Sequence, residues 1–300
     1  MHRCGFCAIS SFYGKQWLAY TPERTVREMK MLVDKYKVNG IIFSDDNFFI
    51  DRKRVERICD LLIKEKLNVK WGAMCRCSYF ARYDDAFIDK LRASGCESLF
   101  FGAESGSQKI LDYIKKDIKV EDIITCAKKT RQHGIKAKFF FMLGFPNETI
   151  KDVFMTLRVL DKIYGIIPET LHPVLLYTPY AKTELMDRSM EAGLHPPEDL
   201  EGWGLYNFLS YDKPWGDKNY VSLIETISIL SQFLLGYQTS ERYQKLWQKL
   251  AFDILKADAN FRWKHKMFKL PFEWKIVKKY MDGQLANSKN QWMKTLEEME

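Results

Sequence analysis

The sequence predicts an α/β protein in which strands of a parallel sheet alternate with helices. From Thr21 onward, short apolar runs and amphipathic segments follow one another with a period of roughly thirty residues, the size of one βα unit. Consecutive strands joined through helices run parallel, with the helices covering the outside of the sheet. Two closures satisfy this pattern, an open doubly wound sheet and a barrel of the TIM type. No G-x-G-x-x-G follows any predicted strand, which disfavours a dinucleotide-binding sheet.

The first helix is predicted by its start signals and by its apolar spacing. Thr21 suits an N-cap and Pro22 suits the first helical position. One apolar face then contains Val26, Met29, Leu32, Val33 and Tyr36.

Five strands and four further helices follow in order. Predicted strands are GIIFS from Gly40, VKWGAM from Val69, SLFFGAE from Ser98, KAKFFFML from Lys136 and TLHPVLLY from Thr170. We expect GIIFS to be buried, because it is a short continuous apolar run. Apolar spacing predicts the intervening helices around Val55, Ile58, Leu61 and Leu62, then Phe87, Ile88 and Leu91, then Ile123 to Thr130, and finally Val153, Leu157 and Leu160.

Polar side chains recur where the predicted strands end. They are Asp45 and Asp46, Arg76, Glu104, Glu148 and Tyr177. In βα barrels the carboxyl ends of the strands form the rim at which ligands bind. The pattern therefore predicts a ligand site at that rim if the sheet closes into a barrel.

A C-x-x-C motif at Cys4 and Cys7 precedes all of these elements and allows three interpretations. A zinc knuckle needs a second pair of ligands, and the C-x-C spacing of Cys75 and Cys77 does not suit one. A redox dithiol of the thioredoxin type needs a helix to start directly after it, but no helical pattern begins before Thr21. The third interpretation is part of an iron–sulfur loop.

The segment MHRCGFCAIS resembles the end of C-x-x-x-C-x-x-C, the signature of the radical S-adenosylmethionine (radical SAM) superfamily, with Phe6 as the aromatic before the last cysteine. DDNFF, GAESGSQKIL, LGFPNET and YTPYAKTEL, in that order, are similar to stretches of radical SAM proteins that carry an upstream cobalamin-binding domain. The resemblance covers roughly Met1 to Gly193. The first cysteine of the motif would fall just before Met1, and no strand precedes the loop, so we expect an N-terminal truncation.

The resemblance implies a partial (β/α)6 TIM-like barrel whose first strand is missing, followed by a mostly helical C-terminal extension. We place the core barrel at residues 1–195 and the extension at 196–300. Implied cofactors are a [4Fe-4S] cluster and S-adenosylmethionine (SAM), with cobalamin bound by an upstream domain outside these residues. Implied partners are a small-molecule substrate and an electron donor such as flavodoxin or ferredoxin.

The resemblance also implies roles for individual residues. Cys4 and Cys7 would be cluster ligands. The residues expected to contact the cofactors are Phe6, Asp45, Asp46, Asn47, Arg76, Glu104, Ser105 and Gly144.

Simpler interpretations stand beside several of these roles. The loop carboxylates after GIIFS could cap the next helix, and Arg76 could pair with a SAM carboxylate or with Asp45. Cys75 and Cys77 are better explained as buried small residues than as ligands. Gly102 and Gly106 allow close backbone approach, to a ligand or within a turn. Tyr177 and Tyr180 are candidates for a substrate wall.

Composition limits the class of protein. The chain has 300 residues, 46% of them hydrophobic, which suffices for one large core, and its net charge of +8 is too small to indicate nucleic acid by itself. Seven irregularly spaced cysteines predict a reducing, cytoplasmic compartment. The sequence shows no signal peptide and no membrane helix, since Glu225 and Gln232 interrupt the longest apolar stretch.

The sequence thus predicts a radical SAM enzyme that acts on an unreactive carbon, by methyl transfer or by oxidative cyclisation. One alternative is modification of transfer RNA, which the basic and aromatic tail from Arg242 would allow. That tail is also explained by an amphipathic helix that packs on the core. A second alternative is a non-catalytic remnant that binds a metabolite or partner, suggested by two cysteines instead of three.

Overall fold

A computed structural model describes residues 2–9, 17–170, 172–206, 213–234 and 246–268. Its strands are β1 (Gly40–Ile42), β2 (Lys70–Cys75), β3 (Cys96–Glu104), β4 (Lys136–Leu143) and β5 (Val174–Leu176). Its helices are α1 (Pro22–Tyr36), α2 (Arg52–Lys64), α3 (Cys77–Phe80), α4 (Asp85–Ala93), α5 (Gln108–Tyr113), α6 (Val120–Gln132), α7 (Ile150–Ile166), α8 (Glu184–Glu191), α9 (Leu200–Leu205), α10 (Lys218–Phe233) and α11 (Leu246–Lys264). Every predicted strand and helix is present.

The strands form one sheet in the order β1-β2-β3-β4-β5, with parallel registers from β1 to β4. The order follows the chain, as the alternation of strands and helices predicts. Two register shifts interrupt the ladders, one beside Trp71 and one between Gly102 and Glu104. The second shift lies at the carboxyl end of β3, where it changes the direction of the side chains that follow.

The predicted burial of GIIFS is wrong. In β1 only Ile41 is half-buried, and Ile42 is 58% exposed. The reason is that β1 comes first in the sheet order, so among the described strands it has one neighbour, β2. An apolar run indicates a strand, but its burial depends on neighbours that the run itself does not specify.

Helix α1 starts as predicted and departs from the prediction at its end. The Thr21 hydroxyl accepts a hydrogen bond from the Arg24 amide at 3.2 Å, and Val26 and Met29 are buried. Tyr36, expected on the buried face, is exposed in the last turn. The apolar face of α1 therefore stops before the helix does.

The predicted faces of the later helices are confirmed with one partial exception. Val55, Ile58 and Leu62 of α2 are buried, while Leu61 is half-buried. The predicted apolar residues of α4 and α7 are all buried, namely Phe87, Ile88, Leu91, Val153, Leu157 and Leu160. Between the helices, Phe101 of β3 stacks on Phe139 of β4 at a ring-centre distance of 5.0 Å.

The chain separates into two compact units, Met1–Met142 with Glu148–Pro173, and Leu143–Asn147 with Val174–Glu300. In the second unit the Tyr177 amide donates to the Leu143 carbonyl at 2.8 Å. The Val174 amide donates to the Ser231 hydroxyl of α10 at 3.0 Å. The expected domain boundary after residue 195 stays a prediction.

The described part of the C-terminal extension is helical, from α9 to α11. Much of the basic, aromatic tail, including Arg242 and residues 269–300, lies outside the described residues. No helix in the described ranges combines the length and the apolar character that a membrane crossing requires.

Candidate functional site

The cysteine loop, residues 2–7, forms a turn that carries both thiols of the C-x-x-C motif. The Cys7 amide donates to the Cys4 carbonyl at 3.2 Å, and both cysteines are partly exposed. The Gly5 amide donates to the Ile114 carbonyl at 2.9 Å. The turn is thereby fixed to the connection between α5 and α6.

That connection, Ile114 to Asp117, contacts the cysteine loop at two further points. The Arg3 guanidinium pairs with the Asp117 carboxylate at 3.2 Å, which lowers the pKa of that carboxyl through the hydrogen bond. The Lys116 ammonium lies 5.6 Å from the centre of the Phe6 ring, a cation–π distance. We call residues 114–117 the seat of the cysteine loop.

Arg76 follows β2 and lies against the loop. One guanidinium nitrogen, Nη1, is 3.6 Å from the Cys4 sulfur, and Nη2 donates to the Lys116 carbonyl. Arg76 is buried, and its Nε has no hydrogen-bond partner in the described part of the chain. The structure brings Arg76 to Cys4 and the seat. Its expected contact with SAM stays a prediction.

Glu104 ends β3 with its carboxylate 2.5 Å from the Lys116 ammonium, and both side chains are about nine-tenths buried. Its φ of 61° lies in the left-handed region, directly after the register shift of β3. Gly102 makes room for this ion pair. A Cβ there would lie 2.4 Å from the Glu104 carboxylate oxygen and 2.8 Å from the Lys116 nitrogen.

The residues after β1 take different positions. Asp45 and Asp46 are exposed, whereas the Asn47 side-chain oxygen accepts from the Phe49 amide at 3.3 Å and closes a local turn. The suggestion that a carboxylate of this loop caps the next helix is wrong, because Asp51 is the N-cap of α2 and accepts from Lys53 at 2.9 Å. The expected contacts of Asp45, Asp46 and Asn47 with SAM stay predictions.

Ser105 and Gly106 contact helix α7. The Ser105 hydroxyl is 3.2 Å from the Thr156 hydroxyl, which also accepts from the Gly106 amide at 2.9 Å. A Cβ on Gly106 would lie 2.6 Å from the Met155 carbonyl oxygen, so this glycine permits helix packing. The expected contact of Ser105 with a cofactor stays a prediction.

Gly144 belongs to the second unit and has a φ of 94°. Its carbonyl accepts from the Trp215 indole at 3.1 Å. In the same unit Tyr177 is buried and stacks on Phe145 at 4.9 Å, while Tyr180 is exposed. Their predicted roles toward cofactor and substrate stay predictions.

His2 was not singled out by the sequence, although it precedes the motif. Its Nε2 lies 2.6 Å from the Tyr79 hydroxyl oxygen. Burial, with the nearby Arg76 charge, lowers the pKa of His2 to about 4. Lys116 and the rest of the seat were also missed, because the sequence IKKD carries no motif and its contacts reach Gly5 and Arg76 far along the chain.

Cys75 and Cys77 are buried, as the simpler interpretation predicts, and burial raises the pKa of the Cys75 thiol well above its ordinary value. Among the residues that the structure describes, no three His, Cys, Asp or Glu side chains are grouped to hold a metal ion. The chain thus offers two partly exposed thiols on one turn, beside a buried cation with an unpartnered Nε. Soft thiolate donors beside a cation fit part of an iron–sulfur loop, in which Cys4 and Cys7 would be two of three ligands.

The architecture and the site together define a class of protein, a βα barrel that carries a cysteine loop on the rim formed by its strand ends. A family model described as Radical SAM superfamily matches residues 1–160. The chain belongs to the radical SAM superfamily.

Two curated relatives indicate the kinds of enzyme to which this chain is similar. An uncharacterized methyltransferase of Pyrococcus horikoshii is 32% identical over 160 residues, which are 53% of this chain and 34% of the relative. The anaerobic magnesium-protoporphyrin IX monomethyl ester cyclase of Rubrivivax gelatinosus is 28% identical over 156 residues, 52% of this chain and 28% of the relative. The chain spans about a third of the length of these relatives.

A solved structure shows the fold. The cobalamin-dependent S-adenosylmethionine radical enzyme OxsB, with aqua-cobalamin and S-adenosylmethionine bound, matches with a TM-score of 0.60 at 16% identity, over 95% of this chain and 48% of that chain. The predicted partial TIM-like barrel of the radical SAM type, with a helical extension, is confirmed.

Proposed function

We propose that this chain is the SAM-cleaving part of a radical SAM enzyme that transfers a methyl group to an unreactive carbon. The observation that carries the proposal is the position of the Cys4–Cys7 turn. It lies at the carboxyl ends of β2 and β3, in contact with Arg76 and with the lysine that pairs with Glu104. Ligands of βα barrels bind at this rim.

Different side chains around the turn would bind the cluster, bind SAM and exclude water. Cys4 and Cys7 would ligate a [4Fe-4S] cluster through their thiolates. The cluster, when bound, supplies the electron that breaks a carbon–sulfur bond of SAM. Asp45 and Asp46, both exposed after β1, would accept charge-assisted hydrogen bonds from the ammonium group of SAM. Phe6 would cover the turn and keep water from it.

Methyl transfer is supported by the methyltransferase of Pyrococcus horikoshii, and use of cobalamin by the fold shared with OxsB. Cobalamin would be bound by residues outside these 300. Oxidative ring closure is the second candidate, favoured by the 28% identity to the Rubrivivax cyclase. An electron donor such as flavodoxin or ferredoxin and a cytoplasmic location complete the proposal.

The test is anaerobic reconstitution of the complete gene product with iron and sulfide. After reduction with dithionite, we expect a four-iron signal in electron paramagnetic resonance (EPR) spectra and reductant-dependent release of 5'-deoxyadenosine or S-adenosylhomocysteine from SAM. Cys7→Ser is the matched loss-of-ligand variant, and Cys59→Ser, a buried cysteine, is its control. A reconstituted protein with no four-iron signal and no SAM cleavage would reject the enzyme and favour a non-catalytic remnant.

The two reactions are then separated by isotope. With SAM labelled in its methyl group, a methyltransferase incorporates the label into its product, and a cobalamin-dependent one does so only when the protein has been loaded with cobalamin. A cyclase leaves the product unlabelled. Incorporation of label without any need for cobalamin would contradict the cobalamin part of the proposal.

A further inference from the structure

The cysteine loop is held by contacts of its own residues and by Arg76, a side chain from outside the loop. Gly5 and Arg3 connect the loop to the seat at Ile114 and Asp117. Arg76 reaches the loop and the seat together, through Nη1 at 3.6 Å from the Cys4 sulfur and Nη2 on the Lys116 carbonyl. Arg76 is therefore a bridge between Cys4 and the seat.

The backbone at Arg76 is fixed, so the bridge is rigid at its base. Arg76 is the N-cap residue of α3, and its carbonyl accepts from the Tyr79 and Phe80 amides, each at 3.1 Å. The side chain is buried, which strengthens its electrostatic effect on a neighbouring sulfur relative to an exposed arginine.

We infer that Arg76 positions the Cys4 thiolate for cluster binding and sets the reduction potential of the bound cluster. This inference rests on the proposed function. A guanidinium N–H donates a charge-assisted hydrogen bond to a thiolate and stabilises its negative charge. Hydrogen bonds to ligand sulfurs and nearby positive charge raise the reduction potential of an iron–sulfur cluster, because the reduced cluster carries one more negative charge.

The test compares Arg76→Gln and Arg76→Lys with the wild-type complete gene product, reconstituted anaerobically. Arg82→Gln is the matched control, because Arg82 is exposed six residues further along. In Arg76→Gln we expect cluster release to a chelator about tenfold faster, the size of one lost hydrogen bond to a charged group. For the same variant we expect the ratio of reduced to oxidised cluster at a given potential to fall about tenfold. An EPR-monitored titration would show this as a reduction potential about 59 mV lower than that of the wild type.

Arg76→Lys separates charge from bridging and serves if Arg76→Gln does not fold. Its ammonium retains the positive charge but cannot donate to the sulfur and to the Lys116 carbonyl in the fork geometry of a guanidinium. We expect fast cluster release and a potential nearer to the wild type. A potential unchanged in both variants overturns the electrostatic role, even if the cluster is lost faster.

Hydrogen exchange of the Gly5 amide tests the positioning role without a cluster. That amide donates to the Ile114 carbonyl, so it reports whether the loop stays on the seat. We expect about tenfold faster exchange in Arg76→Gln than in Arg82→Gln. Equal exchange overturns the positioning of Cys4. A wild-type protein that binds no cluster overturns the proposed function and the effect on potential, and Gly5 exchange then decides positioning alone.

Discussion

Glu104 adopts a left-handed backbone conformation, which a residue with a Cβ takes only when its surroundings stabilise it. The stabilising contact is the Lys116 ammonium at 2.5 Å, and Gly102 leaves the space that the pair occupies. Because both charges are buried, each depends on the other for compensation. The strand end and the seat of the cysteine loop are thereby coupled through one ion pair.

Lys116→Met tests this coupling at the level of single residues. Removing the ammonium leaves the Glu104 carboxylate buried without its partner, so we expect a loss of about 3 kcal/mol in the free energy of unfolding. Glu104→Gln in the same chain should restore much of that loss. Urea unfolding of the two single variants and the double variant measures the coupling energy.

The control for this cycle is Lys30→Met, which breaks the exposed ion pair of Lys30 with Glu65. We expect little change in its unfolding midpoint, because exposed pairs contribute little. Effects of Lys116→Met and Glu104→Gln that simply add would mean that the pair does not couple the strand end to the seat.

At the scale of elements, helix α7 depends on a buried carboxylate at its start. Asp152 accepts hydrogen bonds from the Thr149 amide at 2.9 Å and from the Ser107 hydroxyl at 2.7 Å. Burial by itself would raise the pKa of the Asp152 carboxyl, but the hydrogen bonds from Thr149 and Ser107 outweigh burial and lower its pKa to about 2. Asp152 thus joins the helix N-terminus to the turn that follows Glu104.

We predict that Asp152→Asn costs about 2 kcal/mol at pH 7, the value of the shift in its pKa. The folded pKa lies below the ordinary 3.8, so the stabilisation is present above pH 4 and is lost as pH falls from 4 to 2. Urea unfolding at pH 7 and pH 3 measures both effects. A variant that loses as much stability at pH 3 as at pH 7 would contradict this assignment.

His172 gives a second pH dependence, in a different range. Its Nδ1 accepts from the Phe139 amide of β4 at 3.2 Å, and its ring contacts Phe139 and Tyr164. Burial lowers the pKa of His172 from 6.5 to about 4, so the imidazole is neutral in the folded chain at pH 7. Protonation would add a buried charge and remove the acceptor of the Phe139 amide.

We predict that stability falls by about 3 kcal/mol as pH decreases from 6.5 to 4, because the unfolded chain binds a proton that folded His172 does not. His172→Asn keeps an acceptor near Nδ1 and does not titrate. The difference in unfolding midpoint between pH 7 and pH 4.5 should therefore shrink in this variant. If the wild type and His172→Asn show the same difference, another group is responsible.

The elements could be predicted because each is encoded over a short stretch of chain. Helix caps such as Thr21 and strand runs such as KAKFFFML carry their signal within a few residues. Exposure of Ile42 and Tyr36 could not be predicted, since it depends on which elements pack beside them. Local sequence therefore specifies the type of an element better than it specifies which of its residues are buried.

In the candidate site, too, the residues within local motifs were predicted and those that act through long-range contacts were not. Cys4 and Glu104 were predicted from motifs that resemble those of a family. The seat and its lysine were missed because they act through contacts between distant parts of the chain, such as Arg76 with Cys4, 72 residues apart. Lys115 and Asp117, which belong to the seat, have left-handed backbone conformations. Such conformations are usually signalled by glycine in a sequence, and neither position is a glycine.

At the scale of the whole molecule, the seven cysteines separate into two groups. Cys4 and Cys7 are partly exposed, and all seven are thiols within the described residues. The other five are buried: Cys59, Cys75, Cys77, Cys96 and Cys126. Burial raises the pKa of Cys59 to about 11 and raises the pKa values of Cys75, Cys96 and Cys126 well above the ordinary value. Buried thiols are poor nucleophiles, because the thiolate is the reactive form.

We therefore predict that brief alkylation of the native apo chain modifies Cys4 and Cys7 alone. The five buried thiols should react only when the chain unfolds, so all seven react in denaturant. Mass spectrometry of peptides after a pulse of N-ethylmaleimide counts the adducts at each position. Reconstitution with iron and sulfide should then protect the two loop cysteines and leave the other five unchanged, because only thiolates that ligate the cluster are withdrawn from the reagent. Modification of Cys77 or Cys126 at the rate of Cys4 would show that the barrel core opens in the native state. Unprotected loop cysteines in a chain that retains iron would show that the metal is bound elsewhere.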